Sequence, residues 1–68
     1  MKNLRALRLA RKMTQVELAA IMGVTHGAVV AWEAGTKYPT ADKLPRLAKT
    51  LNCKIDDLYE KTEVKEAV

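Results

Sequence analysis

At 68 residues, with one cysteine and a net charge of +4, the chain has the size of a single small domain. Such a chain buries about 60% of its unfolded surface, so its stability is a few kcal/mol and a deep catalytic cleft is hard to build; an enzyme is not expected. Cys53 alone cannot make an internal disulfide, MKNLRALR lacks an apolar run of signal-peptide length, and no stretch approaches a membrane span, so a soluble cytoplasmic protein without a membrane role is expected.

No segment alternates apolar and polar residues over a useful length, and the hydrophobic spacing is helical throughout, which predicts five helices and no strand. The first runs from about Lys2 to Lys12. Leu4 and Leu7 share a face, Met13 can close over the same core, and Leu9 falls off the stripe. Arg5, Arg8, Arg11 and Lys12 also lie off that stripe, which is too narrow for a membrane-surface helix. The second starts at an N-cap, Thr14, with Glu17 three residues later to complete a capping box. Its apolar set is Leu18, Ala19, Ile21 and Met22, and Gly23 supplies the left-handed stop.

Thr25 caps the third helix, His26 to Ala34, and Val24 and Val29 are spaced for a hydrophobic staple. Val29 and Trp32 point to the core, and Gly35 ends the helix. After the loop Thr36-Lys37-Tyr38-Pro39, Thr40 caps a fourth helix over about Ala41 to Leu51, with Leu44, Leu47, Ala48 and Leu51 buried. Pro45 is a local conflict. Counted from Thr40 it costs a hydrogen bond and a kink; counted from Asp42 it falls in the tolerated first turn. A tight, 3₁₀-like start around 40–43 resolves this. Asn52 takes the left-handed stop. The fifth helix covers about Ile55 to Tyr59 or Glu60, anchored by Ile55, Leu58 and Tyr59. Residues 1–60 therefore form the domain, and 61–68 a short polar tail without a core face, expected to be frayed or disordered.

Helices two and three, joined so tightly at Gly23-Val24, must cross steeply. In a small basic chain that geometry usually holds one helix out into a DNA groove. Charge agrees: residues 1–54 carry a net +7 and residues 55–68 a net −3, so the body suits a polyanion and the acidic end should sit away from it. Metal binding by His26 or Cys53 fails for want of further ligands, a Cys-His nucleophile lacks a supporting constellation, and no cofactor is expected.

The run Leu7-Arg8, Thr14-Gln15, Leu18-Ala19, Gly23-Val24, Val29, Trp32-Glu33, Gly35, Pro39, Leu47-Ala48, Leu51 and Ile55-Asp56-Asp57-Leu58-Tyr59 resembles the helix-turn-helix domain of Cro/cI-type (XRE-like) phage repressors, over residues 4–59. The resemblance implies an all-α, five-helix, lambda-repressor-like fold with the helix-turn-helix at helices two and three. It implies that Gln15 contacts the DNA backbone, where a helix N-terminus also offers free N–H groups to phosphate. Thr25, His26, Gly27 and, one turn on, Ala31 fall where the family meets base edges and flanking phosphates. Lys37 falls where it often places a phosphate contact. Arg5, Arg11, Lys12 and Lys43 are weaker candidates, equally readable as solvated charge. The resemblance also implies a structural ion pair between Arg8 and Glu33, locking the recognition helix to helix one.

The third helix departs from the family in its exposed face, which carries His26, Gly27, Ala28, Val30, Ala31 and Ala34. Bidentate reading by Arg, Asn or Gln is absent from it; hydrogen bonding by Thr25 and His26 and apolar contact of Val30 or Ala31 with thymine methyls remain. His26 reads equally as an exposed first-turn residue with no ligand. The expected function is a sequence-specific, repressor-like transcriptional regulator that binds double-stranded DNA as a homodimer on a two-fold site. The rival is a protein-interaction module, an anti-repressor or antitoxin-like partner, favoured by the apolar face of Val30, Ala31 and Ala34.

Overall fold

The computed structural model describes residues 1–58, apart from the Lys2 side chain. Five helices follow in order: α1 (Lys2–Ala10), α2 (Gln15–Met22), α3 (His26–Ala34), α4 (Leu44–Thr50), entered through a 3₁₀ turn (Ala41–Lys43), and α5 (Ile55–Leu58). No strand occurs among the described residues. The expected tail 61–68 and the contributions of Tyr59 and Glu60 lie outside them.

Local chemistry sets the helix ends. Thr14 Oγ1 accepts from the Glu17 N–H at 3.0 Å while Glu17 Oε1 accepts from the Thr14 N–H at 2.8 Å, so both halves of the capping box are made. Thr25 Oγ1 accepts from the Ala28 N–H at 3.1 Å. Gly23 and Gly35 close α2 and α3 at φ +71° and +84°, where a Cβ would be strained. Asn52 takes the left-handed position after α4, at φ 56°.

Two details differ from the sequence expectation. Helix α1 stops at Ala10 rather than Lys12: Lys12 turns left-handed at φ 59°, and the Met13 N–H reaches back to the Arg8 carbonyl. Thr40 donates its hydroxyl to the Asp42 carboxylate instead of capping a backbone N–H. The expected 3₁₀ start is present at Ala41–Lys43, and it lets Pro45 enter α4 in its first turn, where its missing N–H costs nothing.

The core draws on every helix. Leu4 of α1, Leu18 of α2, Val29 of α3, Leu47 of α4 and Leu58 of α5 are fully enclosed, with Met22, Trp32 and Leu51 beside them. Val24 packs against the same cluster as Val29, the two residues spaced for a staple around Thr25. Ile21 and Ile55, expected to be inward, are instead exposed. Met1, not anticipated as core, is buried, and its terminal amine donates to the Trp32 carbonyl at 3.0 Å. Helix α1 packs against α3 and α5, and α2 against α3 and α4, so α3 is held from two sides while its exposed residues face outward.

Candidate nucleic-acid interface

Helices α2 and α3 turn through 111° across the Gly23–Thr25 break, within the range of helix-turn-helix pairs. The steep crossing brings their first-turn side chains together. Gln15 Oε1 lies 3.0 Å from His26 Nε2, though the residues are eleven apart in sequence. Gln15 is half-buried and His26 exposed, so the contact marks the boundary between core and outer face.

Behind it runs a polar chain into the interior. Gln15 Nε2 donates to Glu33 Oε1 at 3.0 Å. Glu33 in turn accepts two bonds from Arg8, Nε to Oε2 at 2.6 Å and Nη2 to Oε1 at 3.3 Å, and Arg8 Nη1 donates to the Met13 carbonyl at 2.8 Å. Both charged side chains are only 7% exposed. Burial pushes the Glu33 carboxyl up, but hydrogen bonds from Arg8 and Gln15 and the positive charges of Arg8 and Arg5 outweigh it and hold the group below its ordinary value. Glu33 is therefore an ion, and Arg8 satisfies it while tying α1 to α3 and to the turn before α2.

The other site residues fall around this chain. Thr25 is exposed, and its hydroxyl oxygen is engaged in the cap of α3. Gly27 is exposed in the first turn of α3, and a Cβ there would meet nothing closer than Thr25 Oγ1 at 3.9 Å. Ala31 is half-buried. Its carbonyl accepts from the N–H groups of Gly35, Thr36 and Lys37 and from the Thr36 hydroxyl, which folds the loop carrying Lys37 back onto α3. Lys37 itself is exposed. Val30, 41% exposed, and Ala34 complete an outer face without long polar side chains.

The sequence did not disclose the Gln15–His26 and Gln15–Glu33 bonds. The usable signal was positional: Gln15 and His26 each open one helix of a steeply crossed pair. No cluster of three metal-ligating side chains occurs among the described residues, and no single helix there is long and apolar enough to cross a membrane.

Comparison with known proteins agrees with this architecture. A family model described as helix-turn-helix matches residues 4–58. The chain is 32% identical over 63 residues to the HTH-type transcriptional activator BcrR of Enterococcus faecalis, covering 93% of this chain and 31% of that protein. It is 34% identical over 62 residues to the uncharacterized HTH-type transcriptional regulator YobD of Bacillus subtilis (strain 168), covering 91% of this chain and 55% of that protein. The chain thus spans from about a third to about half of these relatives' lengths. The family match covers most of the chain and reaches all five described helices, and the chain belongs to the XRE-type helix-turn-helix family of DNA-binding transcription regulators.

Proposed function

We propose that this chain is a sequence-specific reader of double-stranded DNA that regulates transcription in the cytoplasm, with α3 in the major groove. The observation that carries it is the pairing of Gln15 and His26 at the open corner of the α2–α3 crossing, on a body of net charge +7 over residues 1–54. Gln15 commits one Nε2 hydrogen to Glu33, which leaves the second for a backbone phosphate beside the positive end of α2. Lys37 adds a phosphate contact from the loop after α3. Thr25, His26 and Gly27 stand over the base edges, and Ala31 and Val30 offer apolar contact to thymine methyls.

A single motif covers too few base pairs to be selective, so the reading includes a homodimer on a two-fold site with half-sites about 34 Å apart. Repressor-like action follows from occupancy of a promoter. One observation favours a second reading: the apolar outer face of Val30 and Ala34 suits a protein partner. Selection from a randomised duplex library at several salt concentrations separates the two. A DNA reader enriches a palindromic site and loses affinity steeply with salt. Weak, salt-sensitive binding with no enrichment would favour the protein partner.

A further inference from the structure

The Gln15 amide has one orientation that fits its surroundings. Its Nε2 lies 3.0 Å from Glu33 Oε1, and Glu33 is held ionised by Arg8. A carboxylate only accepts, so the amide must turn its NH₂ toward it; the reverse orientation would set one acceptor against another. That places Gln15 Oε1 against His26 Nε2 at 3.0 Å. An amide oxygen also only accepts, so Nε2 must carry the imidazole hydrogen. In the neutral ring Nδ1 is then a lone pair. His26 is exposed, and among the described residues nothing hydrogen-bonds to Nδ1.

We infer that His26 determines specificity as an acceptor: the Arg8–Glu33–Gln15 chain fixes the hydrogen on Nε2, and Nδ1 takes a hydrogen bond from a base amine, adenine N6 or cytosine N4, in the major groove. This rests on the DNA reading above and adds the base chemistry to it. Guanine and thymine present acceptors at the corresponding edge, so they oppose a lone pair to a lone pair. The expected discrimination at that position is about 5- to 150-fold, the span of one mismatched base pair. Glu33 thereby acts as a positioning residue: it touches no base, but sets the amide that sets the ring.

The test has a part that needs no DNA. Nitrogen-15 NMR of the protein at pH 8 should show the neutral form of the His26 ring protonated at Nε2 and bare at Nδ1. The Nδ1-protonated tautomer overturns the inference. The second part is library selection at pH 8 with wild type, His26→Ala and Gln15→Met, each checked for native circular dichroism. Wild type should demand an amine-bearing base at one position of each half-site. His26→Ala, at an exposed position, should lose that preference alone. Gln15→Met, which frees the ring to change tautomer and removes the proposed phosphate contact, should lose amine selectivity and weaken binding to all sequences alike. An enriched site unchanged by both substitutions overturns this inference and spares the DNA reading; no enriched site with wild type overturns both.

Discussion

At the scale of single residues, Glu33 concentrates the energetics. Removing it strands a guanidinium that is 7% exposed, and breaking a buried pair costs about 3–5 kcal/mol. Arg8 keeps its bond to the Met13 carbonyl, so Glu33→Ala should fall near the lower end, about 3 kcal/mol. In a domain this small that lowers the melting temperature by more than about 10 °C; a fall of one or two degrees would show the pair to be solvent-screened. The double variant Arg8→Met/Glu33→Leu, with no charge left to strand, should be more stable than Glu33→Ala, as urea titration can measure. Acid separates the charge from the packing. Because folding depresses the Glu33 pKa, its contribution is complete above the ordinary value of 4.5 and is lost as pH falls through the folded-state value. Stability should therefore drop on the acid side, and Glu33→Gln should flatten that part of the profile.

At the scale of elements, caps and stops carry the motif. Thr14→Ala removes the acceptor for the Glu17 N–H and should cost about 1 kcal/mol. Gly27 makes the complementary test. It is a helical glycine with open space for a methyl group, so Gly27→Ala should stabilise the fold by up to about 1 kcal/mol. If its backbone approaches DNA closely, the same substitution weakens binding; a variant both more stable and equally tight would show that residue 27 stands clear of the duplex. These elements were legible because they depend on neighbours: Thr14 with Glu17, Gly23, Gly35, Asn52, and the 3₁₀ entry that accommodates Pro45. What was illegible depends on tertiary placement. Apolarity alone suggested that Ile21 and Ile55 turn inward, but the packed fold leaves them outside. Lys12 carries no signal for its left-handed turn; the Met13 N–H bond to the Arg8 carbonyl shortens α1 there.

At the scale of the whole molecule, the charge gradient and the polar chain divide the work. The excess over residues 1–54 supplies non-specific attraction, so binding should weaken linearly in log–log form as salt rises. Lys37→Ala should lower that slope by about 1 and weaken all sequences alike, since a phosphate contact carries no base information. An unchanged slope would remove Lys37 from the interface. The resemblance pointed to the Arg8–Glu33 pair but not to the bonds that join Gln15 to Glu33 and to His26, because those exist only once α2 and α3 have crossed. That connection bears on redesign. On the proposed reading, residues 15 and 26 form one letter of the recognition alphabet written on this scaffold, spelled partly from inside. A transplant that exchanges the outer face of α3 while leaving position 15 untouched would import a new side chain into an old hydrogen-bond grammar. Altered-specificity variants should therefore be sought among paired changes at 15 and 26, with 8 and 33 held constant as the frame.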